Sequence, residues 1–425
     1  MHYFVQKLCL LIVVNLFAAY NIYSQQYEQY FNTESLRFDF IHSGNFFSET
    51  LQLNNVKKEP YWGGNPNSLI DKTNYGNYIV EVFHLIDSNL LFSYGYGCLF
   101  QEWKYIKLAK TEQKDFQESL IIPCPKIPVK VKISARDSLN RFLSLYEFAV
   151  NPDTVKMVKS EYSPLFIHQS GISQNKIDVV IIGDGYKKKD YKKLLKDAEF
   201  LKESILSYRP FNQNKDKFNF ILVPAFSKQR GISNPLKNKK LKTLLSCSFN
   251  TLDTERYLMT EEVWKLRDIA ACTPYDYIFV LANTKEYGGG AIYNFYGCAA
   301  SGDSYSGFVI VHEFGHLFAG LADEYVGDTS YDLYFSLHTE PWEPNITTLV
   351  DFESKWKDML TPDIPIPTPE IRKYADKVGV FEGAGYRKKG VYRPVYDCTM
   401  RSVSIDNFCP VCSKAIIKMI NLHTQ

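Results

Sequence analysis

Short runs of alternating apolar and polar residues fill the first third of the chain. "LRFDFIHSG", "YIVEVFHLID", "LLFSYGYGCLF" and "VKVKISARD" are each flanked by Gly, Pro or Asn clusters. An extended segment with this period puts its apolar side chains on one face. Runs at this spacing predict an antiparallel β-sandwich over residues 25–155. The prolines of "IIPCPKIPVKV" suit an edge or crossing segment, because proline has no N–H for a central ladder.

A polar, linker-like stretch at 151–175 precedes a change of period. "IDVVIIGDGY", "FNFILVPAF" and "YDYIFVLAN" are continuous apolar runs, as expected of strands buried on both faces. Amphipathic segments, "KKKDYKKLLKDAEFLKESIL" and "TERYLMTEEVWKLRDIA", come between them. This alternation predicts an α/β domain over 170–425, so the expected class is α+β or α/β with the sandwich first. The Gly-Asp-Gly turn lacks the further glycines and the lysine of a phosphate loop and reads as a plain turn. Its Asp184 is a candidate calcium ligand.

The first 24 residues have a different pattern. "MHYFVQK" carries one lysine, "LCLLIVVNLFAAY" is almost wholly apolar, and "NIYSQQ" is polar. This order predicts a signal peptide over 1–24 with cleavage after Ser24. The apolar run falls short of the roughly 20 residues a membrane span needs. The mature protein is expected to be secreted, periplasmic or at the cell surface, with no transmembrane segment. The 425 residues carry 49 basic and 47 acidic side chains, a net charge of +2, and no long Lys/Arg run, which excludes a nucleic-acid partner. "YKKKDYKK" reads as the wet face of a helix. Loss of Cys9 with the leader leaves an even number of cysteines, which an exported chain can pair. "CPVC" at 409–412 resembles half a zinc knuckle. No second ligand pair stands at suitable spacing, so disulfide or free thiol is expected there.

The chemistry concentrates in "VHEFGHLFAGLADEY", residues 311–325. On a helix, His312 and His316 lie on one face and can direct both imidazoles at one Zn²⁺. Glu313 is rotated from that line and can reach a water beside the ion. A catalytic zinc generally takes three protein ligands plus water. Gly320 offers a left-handed helix exit, after which the chain can turn back and present Asp323, or alternatively Glu324, as the third.

HExxH followed by a glycine and an acid resembles the metzincin plan. More closely, "HEFGHLFAGLADEY" is similar to the signature of the bacterial IgA metallopeptidases, secreted zinc endopeptidases. "LRFDFIHSGN" and "EPYWGG" resemble that family's N-terminal sandwich, and "IIGDGY", "YGGGAIY" and "YRPVYDCTMRS…FCPVC" its catalytic landmarks. The glycine stands one residue later than in the usual metzincin form, with Ala319 in its place. The resemblance implies Met400 as the methionine turn beneath the metal. It also makes Tyr287, Gly288, Gly289 and Gly290 the rim on which a peptide substrate pairs as an added strand. Ser402 stands where some relatives carry an oxyanion-stabilising tyrosine, so that role is not carried over. The expected activity is hydrolysis of protein or peptide substrates, immunoglobulin A or other host or dietary proteins, with one catalytic Zn²⁺. The competing expectations are an exported glycan- or protein-binding module with a structural zinc, and hydrolysis of a non-peptide amide.

Overall fold

A computed structural model describes residues 26–327 and 334–424. The leader expected at 1–24, with Cys9, lies outside the described residues. The alternating runs form two antiparallel sheets. In the first, β1 (Phe31–Gly44) is flanked by β2 (Glu49–Glu59) and, later in sequence, by β5 (Lys114–Pro125). In the second, β3 (Tyr78–His84) and β6 (Val129–Arg136) are central, with β4 (Leu90–Tyr96) and β7 (Phe142–Val150) at the edges. Leu36, Phe38 and Phe40 of β1 are wholly buried, and Phe38 meets Phe148 of β7 edge to face at 5.1 Å. The two sheets therefore share their apolar faces.

The polar face of β1 is buried as well, which alternation alone does not foretell. Arg37 and Asp39 are 0% and 1% exposed. A short helix from later in the chain, Val263–Ala270, covers them. Arg37 donates to Asp39 and Glu59 at 2.8 Å and to Asp268 of that helix at 2.6 Å. Trp264 donates its indole N–H to the Glu118 carbonyl at 3.0 Å. One guanidinium thus compensates carboxylates from both parts of the chain.

Beyond residue 160 a six-stranded sheet has the order β12-β13-β11-β9-β10-β8, with β8 at Leu165–His168, β9 at Ile177–Asp184, β10 at Phe218–Val223, β11 at Tyr277–Ala282, β12 at Gly289–Ile292 and β13 at Tyr296–Ala300. The inner pairs are parallel and the two edge strands antiparallel. Every residue of β9, β10 and β11 is buried, as their continuous apolar runs require. Val180 and Ile182 of β9 share a core with the N-terminal sheets and the Val263–Ala270 helix. Val179 and Ile181, on the opposite face, pack in the core formed by the helices Tyr191–Ser207, Ser306–Ala319 and Pro410–Thr424. A hairpin of β14 (Phe381–Ala384) and β15 (Arg387–Arg393) stands apart. The fold is a mixed α+β arrangement of several sheets with a β-rich N-terminal region. Among the described residues no helix is long and apolar enough to cross a membrane.

Replacing Arg37 with Ala leaves Glu59 buried without its ion-pair partner and Asp39 with Lys57 alone, 3.3 Å away. Chemical denaturation should show a loss of roughly 3–5 kcal/mol. At the start of β9, Asp178 is wholly buried and one carboxylate oxygen has no hydrogen-bond partner. Burial, and then the neighbouring Asp276 carboxylate, push its carboxyl from 3.8 up to about 7. A carboxyl raised on folding favours the folded state fully below 3.8, and that contribution disappears as pH rises through about 7. Asp178→Asn should therefore raise the thermal midpoint at pH 8 and leave it little changed at pH 4 in calorimetry.

Candidate metal centre

The helix Ser306–Ala319 lies against the six-stranded sheet through Val309, Ile310, Phe314, Leu317 and Phe318. It ends at Gly320, whose φ of +60° is left-handed. There the Gly320 amide donates to His316 and the Leu321 amide to Gly315, closing the last turn. A β-carbon on Gly320 would also stand 2.6 Å from the Trp342 ring. Conformation and space both demand glycine, and the reversal returns Asp323 to the helix.

The Nε2 atoms of His312 and His316 lie 3.1 Å apart. Asp323 Oδ1 is 3.0 Å from the first and 3.4 Å from the second. Each imidazole is oriented from behind, since His312 Nδ1 meets the Thr399 carbonyl at 3.0 Å and His316 Nδ1 the Leu321 carbonyl at 2.5 Å. Those carbonyls accept the Nδ1 protons, so the Nε2 lone pairs face each other and a carboxylate. Bonds of about 2.0–2.1 Å to one tetrahedral ion set ligand atoms roughly 3.3 Å apart. The observed triangle fits such an ion. Burial opposes the charge on Asp323, but the two imidazoles overcome it and hold the carboxyl well below its usual range. Burial likewise works against charge on both histidines, and Asp323 outweighs it and raises them. Glu324 turns the other way: Asn345 donates to its Oε1 at 2.9 Å, and Cys412 Sγ lies 3.1 Å from the same oxygen.

Glu313 faces the same space from beneath β12. A β-carbon on Gly289 would fall 3.0 Å from the Glu313 Oε1, so a glycine lets the strand pass directly over this carboxyl. Enclosure, reinforced by Asp323 and Glu102 and opposed by His312, pushes Glu313 up to about 8. Met400 is wholly buried, with Sδ 2.9 Å from where Gly315 would carry a β-carbon, on the turn between the two histidines. Its carbonyl accepts the Glu324 amide at 2.8 Å.

His312, Glu313, His316 and Asp323 line a cleft of about 510 Å³ that also includes Tyr287, Gly288, Gly289 and Gly290. Gly289 and Gly290 begin β12, the edge strand of the large sheet, and Tyr287 and Gly288 lead into it. Its edge is not wholly open, however. The Gly289 amide donates to Arg256 and its carbonyl accepts from Leu258, so the chain itself covers that part. Asp184 is also otherwise engaged: Ser227, Thr243 and the amides of Leu245 and Cys247 all donate to its carboxylate, which anchors a loop and leaves no calcium role.

Several cleft groups were not visible as such in the sequence. Tyr386, on the turn of the β14–β15 hairpin, donates its phenol to Asp323 Oδ2, and the adjacent Gly385 amide donates to the Asp323 carbonyl at 2.9 Å. Glu102 comes from the N-terminal region, accepts the Tyr257 phenol, and is pushed up to about 7 by burial. Glu343 is also raised to about 7 by burial. No motif marks these residues, because each reaches the cleft from a distant part of the chain.

The family model described as IgA Peptidase M64 matches residues 165–375 and 370–420, and that of the Peptidase M64 N-terminus matches 26–147. The chain belongs to the IgA peptidase M64 family. No curated protein matches it. Membership makes the chain a peptidase acting on protein, and places the His312–Asp323 cluster within the part matched by the peptidase model. In this M64 peptidase the N-terminal region is more than an appendage, since Asn77, Gly97 and Glu102 form one wall of the cleft.

Gly320→Ala should weaken metal retention and cost about 1–2 kcal/mol in the left-handed backbone alone. Zinc-chelator competition read beside the thermal midpoint checks both effects.

Proposed function

We propose that this M64 peptidase is an exported, metzincin-like zinc endopeptidase that cleaves internal bonds of protein substrates. The observation that carries the reading is the meeting of two imidazole lone pairs and one carboxylate oxygen within 3.0–3.4 Å. The left-handed exit at Gly320 and the buried Met400 under the histidine turn support the metzincin-like part. His312, His316 and Asp323 would hold the ion. Bound there, Zn²⁺ supplies Lewis acidity to water and to the scissile carbonyl.

The chain's own residues do the rest. Glu313 accepts a proton from the attacking water and returns it to the departing amine. Tyr386 holds the second oxygen of Asp323, which keeps the first directed at the imidazoles. The Thr399 and Leu321 carbonyls fix the imidazole tautomers. β12 and the tyrosines beside it orient an extended peptide along the rim. The leader segment supports export, where host or dietary proteins are met. Immunoglobulin A, the substrate in the family's name, is the first to test.

Glu313→Gln should retain zinc at the wild-type stoichiometry while proteolysis of denatured protein falls about 10²–10⁴-fold. Chelation should abolish the wild-type activity, and added zinc should restore it. Undiminished cleavage by the variant would remove Glu313 from the mechanism. Failure of the wild type to cleave any protein in a chelator-sensitive way would favour the binding-module alternative.

A further inference from the structure

The other face of the Asp323–Glu324 pair opens onto a second cluster. Cys398, Cys409, Cys412 and Glu324 are all buried, and their ligand atoms lie within 4.8 Å of one another. Cys398 Sγ and Cys412 Sγ are 3.8 Å apart. A tetrahedral ion with metal–sulfur bonds of 2.3 Å sets its sulfurs about 3.8 Å apart, whereas a disulfide needs about 2.05 Å. The Cys409 amide donates to Cys398 Sγ at 3.3 Å, and the Cys412 amide to Cys409 Sγ at 3.4 Å. Amide-to-sulfur bonds of this kind neutralise thiolate charge. Cys409 immediately precedes the helix Pro410–Thr424, and Cys412 lies in its first turn, where the helix dipole favours anionic sulfur.

Glu324 supplies the independent indication. It is 0% exposed, and its Oε2 has no hydrogen-bond partner. A buried carboxylate oxygen left bare beside three sulfurs is costly unless a cation meets it. All eight described cysteines are unpaired, so no disulfide consumes the cluster. Thiolates select a soft or borderline ion, and a tetrahedral S₃O set suits zinc better than calcium or magnesium.

The geometry points to a second, structural zinc site in this chain, formed by Cys398, Cys409, Cys412 and Glu324. Loading releases the thiol protons to solvent and leaves a closed site with no open position for water. The site braces the first one from behind. The loop it staples contains Thr399, whose carbonyl orients His312, and Met400, whose carbonyl holds the Glu324 amide. The ligand Glu324 is the immediate neighbour of Asp323. The "CPVC" pair thus finds its missing partners at Cys398, in the loop just before it, and at Glu324, in the segment after the active-site helix.

The test uses the full chain produced with Co²⁺ as the only added transition metal. Cobalt bound by thiolates gives an intense sulfur-to-metal charge-transfer band in the near ultraviolet, which a His/His/Asp site does not. The expected result is two metals per chain with that band. The His312→Ala/His316→Ala double variant should lose one metal and keep the band, and Cys409→Ser should lose the band. The wild-type spectrum decides even where a variant fails to fold. Absence of the band, with these cysteines in a disulfide or rapidly alkylated in the native chain, overturns the site. One metal with the band intact would instead count against the histidine site, so the two readings fail separately.

Discussion

Three electron-pair donors pressed to within about one hydrogen-bond length of each other repel unless something positive lies between them. The His312, His316 and Asp323 atoms are in that position, and much of the surrounding structure resists their separation. Helical spacing fixes the first two. The Gly320 reversal returns the third, and carbonyls from Leu321 and Thr399 and the phenol of Tyr386 hold each donor from behind. A pre-formed cage of this kind costs stability without a cation, and binding energy then appears as rigidity of the cleft.

The scaffold distributes that cost widely. The helix carrying the histidines lies on one face of the six-stranded sheet, while the N-terminal sheets and the Val263–Ala270 helix close the other. Arg37 joins the two regions, holding the buried Asp39 and Glu59 on its own side and the half-exposed Asp268 of the later helix on the other. The same association brings Glu102 to the cleft, where it adds negative potential around Glu313. The electrostatics of the cleft and the packing of the N-terminal sheets are thus parts of one arrangement.

Sequence periodicity exposed much of this. The alternating runs became the antiparallel sheets, and the continuous apolar runs became β9, β10 and β11. HExxH, with a glycine and an acid beyond it, marked the residues that meet as the His312, His316 and Asp323 cluster, because helix geometry places residues four apart on one face and glycine alone reverses cheaply. What periodicity missed were groups whose surroundings come from elsewhere. Arg37 and Asp39 alternate with the apolar positions of β1, and nothing in that alternation shows that a helix more than 200 residues away buries them. Asp184 read as a conceivable calcium ligand, yet four loop donors satisfy it.

The sequence by itself determined the strands, the histidine helix, its left-handed end and the family, since all of these rest on neighbours within a few residues. Only the tertiary structure decided between Asp323 and Glu324 as the acid facing the imidazoles. It also brought Tyr386 and Glu102 to the cleft, closed part of the β12 edge, and gathered Cys398 and Glu324 around "CPVC". Two adjacent acids on an irregular segment have no period to set their direction. They are oriented by the partners that packing supplies, imidazoles on one side and buried sulfur on the other.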